Sequence, residues 1–162
     1  MVETLHQIGE FYGSGAKGIV WEHNTHIGDA RATDMANEGM VNVGQLTREK
    51  YGHHQIYAIG FGTYQGNVIA AKKWGDPPEV MTVPKSTVGS WEDAIHHTGF
   101  GNQYLVFTEE NSAVFRDIFG HRAIGVVYHS DYEQYGNYVP SRLSERYNAF
   151  IHVDTTKAIS PL

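Results

Sequence analysis

The sequence predicts an α/β layered domain in which a mainly parallel central sheet is flanked by helices and accompanied by one antiparallel hairpin. Short runs of β-branched and aromatic residues alternate with segments of helical periodicity, and this alternation favours parallel strands joined by helices. A turn-forming pair, Gly66-Asn67, separates two strand-like runs and indicates the hairpin. The 162 residues suit one domain, 1–162.

The first half of the chain contains two helical patterns and three strand-like runs. Apolar residues recur at helical spacing over 2–12 and in "VNVGQLTREKYG", and glycines end both segments. Between them, residues 18–21 form a short apolar run typical of a strand covered on both faces. The two hairpin strands are predicted in "QIYAIGFGTYQG" and "NVIAAKKW".

In the second half, strands and helices alternate. Strands are predicted in "EVMTVPK", "QYLVFT", "RAIGVVYH" and "NAFIHVDT", and the third of these is expected to be strongly buried. Helices are predicted in "SAVFRDIFG" and in "SWEDAIHHTG", where Ser90 can cap the first turn and Gly99 ends the helix.

Composition excludes several classes of protein. The net charge is −6 and basic residues occur in no run longer than two, so a nucleic-acid partner is not expected. The absence of cysteine excludes disulfides and thiolate chemistry. No apolar run approaches the ~20 residues that a membrane span needs, and the first residues do not form a secretory signal. We therefore expect a cytoplasmic protein without a membrane partner.

The stretch "GIVWEHNTHIGDARATD" carries the strongest functional signal. Its residues 23–31 follow the first predicted strand, and ligands bind beyond the carboxyl ends of strands in open α/β sheets. His23 and His26 are three residues apart, so a helical turn would place both imidazoles on one face. One ring could then orient or deprotonate a water molecule while the other stabilises the oxyanion or protonates the leaving group. Asn24 and Arg31 are candidate substrate-binding residues, and Thr63, at the end of a predicted strand, is a third.

Three interpretations of this stretch remain open. The polar residues could simply cap a helix and hydrogen-bond a loop. His23 and His26 could instead bind a metal together with a carboxylate such as Asp29. The fold could also persist as a non-catalytic binding fragment. The sequence lacks the GxSxG elbow of serine hydrolases, so water is the expected nucleophile of a hydrolase, and no metal or other cofactor is expected.

The motifs also resemble a known family. "IVWEHNTHIGDARATDM", "VNVGQLTREKYG", "AIGFGTYQGNVIAA" and the long stretch from "RAIGVVYH" to the end look like the later half of the erythromycin esterase family, which includes proteins labelled succinoglycan biosynthesis proteins. The resemblance implies a fold of the erythromycin esterase type and a hydrolase in which histidine-activated water opens an ester, a macrolide lactone in the antibiotic-resistance members. It implies that His23 and His26 are the paired histidines of the active cleft, and that Arg31 is the arginine of the motif.

The sequence departs from the family in one segment. The resemblance implies an earlier Gly-Glu-x-x-His segment that carries the general-base histidine, and Gly9-Glu10 does not match it. Glu22 also stands where relatives often have a small residue. We therefore expect this chain to be the C-terminal part of a longer domain whose site is completed by the missing N-terminal half or by a partner. We expect a small-molecule ester as substrate and exposed apolar surface that favours a homo-oligomer.

Overall fold

The computed structural model describes residues 1–159, which form a mixed α/β fold. Its helices and strands occur in an irregular order along the chain. The helices are α1 (Val2–Tyr12), α2 (Asn24–Ile27), α3 (Val43–Tyr51), α4 (Trp91–His96), α5 (Glu133–Gly136) and α6 (Leu143–Arg146). The strands are β1 (Ile59–Ala70), β2 (Glu79–Val83), β3 (Gln103–Val106), β4 (Phe119–Arg122), β5 (Tyr138–Ser141) and β6 (Ala149–Thr156). None of the helices within 1–159 has the length and apolar character needed to cross a membrane.

The main sheet has four strands in the order β2-β1-β6-β3. β1 and β6 are parallel, whereas β2 is antiparallel to β1 and β3 is antiparallel to β6. The prediction of a mainly parallel sheet is therefore not confirmed. The antiparallel pairing of β1 and β2 follows from the short connection between them, because a chain that reverses within a few residues can only pair antiparallel. β4 and β5 form a separate antiparallel pair.

The predicted turn at Gly66-Asn67 is wrong, because β1 runs through these residues as one strand. Gly66 has φ 135°, a conformation that residues with a Cβ rarely adopt. A Cβ at this position would also collide with the backbone of Thr156 on β6. The glycine therefore serves a bend and a close strand approach, and the chain reverses later, over residues 71–78.

Two predicted strands do not form. Residues 18–21 are extended but unpaired within the described chain, and Ile19 and Trp21 are 95% and 85% exposed. Residues 123–129 follow the short strand β4 without forming a strand: Val127 makes a single bridge to Ala71, and Tyr128 packs against the main sheet through its side chain. The predicted helix in "SAVFRDIFG" is reduced to a 3₁₀ turn, Ser112–Phe115. In residues 123–129 the apolar side chains indicate packing against the protein but not backbone pairing, whereas in residues 18–21 they indicate neither.

The elements with local capping signals are confirmed. The Ser90 hydroxyl accepts from the Asp93 N–H at 3.2 Å at the start of α4, and the Asn42 side chain accepts from the Gln45 N–H at 2.9 Å at the start of α3. The helix over 2–12 ends at Gly13, as expected. Such side-chain caps replace the hydrogen bonds that the first helical N–H groups lack.

The main core lies between the sheet and helices α4 and α6. It consists of six buried residues packed together: Ala58, Trp91, Ile95, Leu143, Tyr147 and Phe150. The indole N–H of Trp91 donates to the Ser141 carbonyl at 2.8 Å, so its polar atom is satisfied. One face of β1 and β6 therefore packs against the core, and the other face lines a cavity.

The substitution Phe150→Ala tests the position of this core. Phe150 is fully buried, so the change should lower the free energy of unfolding by about 3–5 kcal/mol. The measurement is urea denaturation followed by circular dichroism. Phe11→Ala is the matched control because Phe11 is 84% exposed, and it should change stability by less than about 0.5 kcal/mol. Similar losses in both variants would contradict the assignment.

Candidate active site

A cavity of about 680 Å³ lies on the face of the main sheet opposite α4. Side chains alternate across a strand, so Phe61, Thr63 and Val153 face the cavity while Phe150 faces the core. The remaining walls come from residues 18–24, from α3 and from residues 55–58. A volume of this size can hold a small organic molecule.

His23 lies in the cavity wall as the N-cap residue of α2. Its Nε2 donates to the Ile124 carbonyl at 2.8 Å, and its Nδ1 lies 2.9 Å from the Thr25 hydroxyl and 3.3 Å from the Thr25 N–H. The carbonyl can only accept, so the proton is on Nε2 and Nδ1 is the acceptor. Burial lowers the pKa of His23 from 6.5, which keeps the imidazole neutral at pH 7.

His26 lies beside His23 but differs from it in exposure. The two ring centroids are 6.4 Å apart, and the rings meet nearly edge to face at 80°. The His26 side chain is 59% exposed, and its Nδ1 lies 3.6 Å from Glu22 Oε2. The structure therefore brings the two predicted histidines together, but only His23 is among the residues that line the cavity.

Asn24 lines the cavity, yet its amide is already engaged. Its Oδ1 accepts from the Phe61 N–H at 3.0 Å, and its Nδ2 donates to the Phe61 carbonyl at 2.6 Å. The same Nδ2 lies 3.3 Å from His121 Nε2. The side chain therefore holds residues 23–27, here called the histidine turn, against β1. A direct contact of Asn24 with substrate stays a prediction.

The other two predicted binding residues have different surroundings. Thr63 is buried in the cavity wall, and its hydroxyl donates to the Gln65 carbonyl at 3.0 Å. Arg31 is not among the lining residues and binds the Asp29 carboxylate with two hydrogen bonds of 2.9 and 2.7 Å. Burial alone would raise the pKa of Asp29, but the hydrogen bonds and charge of Arg31 outweigh burial and lower it. The structure places Thr63 near His23 in the cavity and holds Arg31 apart.

The metal-binding interpretation gains no support from these positions. Within residues 1–159, no three histidine, aspartate or glutamate side chains are close enough to hold a metal ion together. Asp29, the third ligand of that interpretation, is paired with Arg31.

A buried pair behind Asn24 was not predicted from the sequence. His121 Nδ1 lies 2.6 Å from Glu92 Oε1, and both side chains are fully buried. The Glu92 carboxylate also accepts from the Arg122 N–H at 3.1 Å. Burial lowers the pKa of His121, and a neutral ring explains why its Nε2 can accept from the Asn24 amide. The pair joins α4 to β4, so no local pattern in the sequence signals it.

Two further charged residues of the cavity wall were also missed. Glu22 lines the cavity, and its only signal in the sequence is that it stands where relatives often have a small residue. Arg122 donates to the carbonyls of Thr63 and Tyr64 at 2.7 Å each and pairs with Glu133. A lone arginine in an apolar run is a sequence signal for such a buried network.

The chain is similar to known proteins over the residues that form the cavity. A family model described as erythromycin esterase matches residues 1–156. The chain belongs to the erythromycin esterase family. The resemblance drawn from its motifs is confirmed, and the family match includes the cavity, the histidine turn and the buried pair behind it.

Two solved structures share this erythromycin esterase-like fold. A succinoglycan biosynthesis protein is 21% identical, with a TM-score of 0.69 over 88% of this chain and 34% of that chain. A protein from Bacillus cereus is 15% identical, with a TM-score of 0.68 over 86% of this chain and 33% of that chain. The chain thus spans about a third of the length of the solved proteins it matches.

The neutral state of His23 can be measured without any enzyme assay. Because burial lowers the pKa of His23, its imidazole resonance should titrate below 6.5, as followed by NMR from about pH 8 to about pH 4. The variant His23→Gln assigns the resonance, and the chain unfolded in urea provides the reference titration. A midpoint at or above the unfolded value would show that the ring is not held neutral.

The buried pair predicts a large loss of stability on truncation. His121→Ala leaves the Glu92 carboxylate buried without its partner, so we expect the free energy of unfolding to fall by about 3–5 kcal/mol. His54→Ala removes an exposed imidazole and is the control in the same urea titration. A small effect of His121→Ala would mean that Glu92 is satisfied in another way.

Proposed function

We propose that this chain carries the histidine pair of an erythromycin esterase-type hydrolase, which uses water to cleave an ester or lactone. The observation that carries the proposal is that His23 lies in the wall of a cavity that can hold a small ester, with the ring centroid of His26 6.4 Å from that of His23. Family membership supports a hydrolase acting on esters. Because the solved proteins are longer, we propose that the chain acts as one part of such a domain.

The two histidines differ in what their rings are free to do, and this difference suggests their roles. Within residues 1–159, the His26 ring makes no hydrogen bond, and its Nδ1 lies 3.6 Å from Glu22 Oε2. In the proposed reaction, His26 takes a proton from water as the water oxygen attacks the acyl carbon. It returns that proton to the leaving oxygen as the acyl–oxygen bond breaks, so the reaction consumes one water molecule.

His23 is suited to the role of hydrogen-bond donor. Its Nε2–H points to the Ile124 carbonyl, and both residues line the cavity. If the His23 Nε2–H donated to the substrate carbonyl oxygen in place of the Ile124 carbonyl, it would stabilise the negative charge that develops on that oxygen during the reaction. Both ring nitrogens of His23 are already engaged, Nε2 by the Ile124 carbonyl and Nδ1 by Thr25, which is why we assign proton transfer to His26.

The binding residues take unequal parts in this proposal. Thr63 lies in the cavity wall and contacts the substrate. Asn24 acts mainly by holding the histidine turn against β1. Arg31 acts through Asp29, because a direct contact with substrate would require it to give up two hydrogen bonds to that carboxylate.

Ester hydrolysis by the native protein tests the proposal. His26→Ala should lower kcat/KM for a chromogenic ester on the order of 10²-fold or more, because a proton carrier is lost. His23→Ala should lower kcat on a similar scale through the loss of one hydrogen-bond donor to the oxyanion. The exposed His54 provides the control variant His54→Ala, which should hydrolyse the ester at the unaltered rate.

Two outcomes would reject the mechanism. Unchanged turnover in both histidine variants would remove the pair from catalysis. If the native protein cleaves neither chromogenic esters nor macrolide lactones, the cavity would be better described as a binding site without hydrolase activity.

A further inference from the structure

Glu22 is a carboxylate in the cavity wall that lacks a matching cation. Its side chain is 19% exposed, and its Oε2 is buried without a hydrogen-bond partner in the described part of the chain. His26 Nδ1 lies 3.6 Å away, beyond the length of a charge-assisted hydrogen bond. Burying a carboxylate oxygen in this way costs free energy that a bound cation would offset.

The other charged or titratable groups that line the cavity do not neutralise Glu22. The Arg122 guanidinium is taken up by Glu133 and by backbone carbonyls, including Pro84 at 2.9 Å. His23 is neutral at pH 7 because burial lowers its pKa. Among the lining residues within 1–159, Glu22 is the one carboxylate, so the cavity presents a negative charge to its ligand.

The surroundings of Glu22 strengthen its attraction for a cation. Most of the wall surface is apolar, and charges interact more strongly beside apolar side chains than in water. The aliphatic residues include Ile19, Val20, Ile27, Val43, Ile59 and Val153. Trp21 and Phe61 also line the cavity, with ring centroids 6.0 Å apart, and aromatic faces attract alkylammonium groups.

We propose that the cavity binds apolar ligands that carry a positively charged ammonium group, and that Glu22 selects them. The apolar wall takes the body of the ligand, while Glu22 and the aromatic rings hold the ammonium group. Glu22 is thus a specificity residue that contacts the ligand without entering the chemistry. The inference names the ligand class of the site assigned above, and it rests on the proposed function only in taking this cavity as the ligand site.

A pair of isosteric probes tests the selection. One probe is phenylpropyltrimethylammonium, and the other carries a tert-butyl group in place of the trimethylammonium group. Binding is measured from the shift of the Trp21 indole N–H signal in proton–nitrogen correlation spectra. We expect the wild-type chain to bind the cation at least about tenfold more tightly than its neutral isostere. The corresponding carboxylate should bind most weakly, because it is repelled by Glu22.

Substitution of Glu22 provides the decisive comparison. In Glu22→Gln, the preference for the cation should fall to about twofold or less, since only the aromatic contribution remains, while the neutral isostere should bind as before. Glu110→Gln makes the same change in net charge at an exposed residue outside the cavity and should keep the tenfold preference. Circular dichroism checks folding, and Glu22→Ala is the second variant if the glutamine variant does not fold.

The outcomes separate this inference from the proposed function. Equal affinity of the wild-type chain for both probes would overturn it, as would a full preference in the Glu22 variants or no shift of the Trp21 signal with either probe. Because the probes contain no ester bond, selective binding without any ester hydrolysis would uphold the ligand class and reject only the proposed reaction.

Discussion

The side-chain amide of Asn24 forms two hydrogen bonds with the backbone of Phe61, and the position of the histidine pair depends on that contact. Helix α2 has only four residues, too few to be stable by itself. Its remaining anchors are also long-range: Asn42 donates to the carbonyls of Thr25 and Gly28 at 2.7 and 2.6 Å. Behind Asn24, the Glu92–His121 pair fixes the amide from the core side. The histidine turn is thus held rigid by the tertiary structure around it.

This arrangement separates the polar groups that hold the site from those that face a ligand. Arg122 and Asn24 have their hydrogen bonds filled by backbone groups, so they shape the cavity without offering it free donors. Glu22 keeps a buried carboxylate oxygen at the cavity without a hydrogen-bond partner in the described part of the chain. Unsatisfied polar atoms cost stability, and their occurrence beside an apolar cavity is typical of a site that completes its interactions on binding.

The parts of the fold that could be predicted are those with local signals. Helices α3 and α4 carry their own caps in Asn42 and Ser90, and β6 is an uninterrupted run of strand-forming residues. Residues 18–21 and 123–129 are equally apolar, but their neighbours in space decide their conformation. In the site, the spacing of the two histidines correctly predicted that His23 and His26 lie next to each other. The partners of His121 and Arg122 lie far away in sequence, and no periodicity could indicate them.

The bend at Gly66 divides β1 between two neighbours. Residues up to Gly66 pair with β6, and those after it pair with β2. Phe61 and Thr63 line the cavity from the segment paired with β6, and Val68 lines it from the segment paired with β2. An insertion of one residue just after Gly66 would therefore exchange the inward and outward side chains of the distal segment alone. The end of the strand next to His23 would keep its lining, and the far end of the cavity could diversify independently of it.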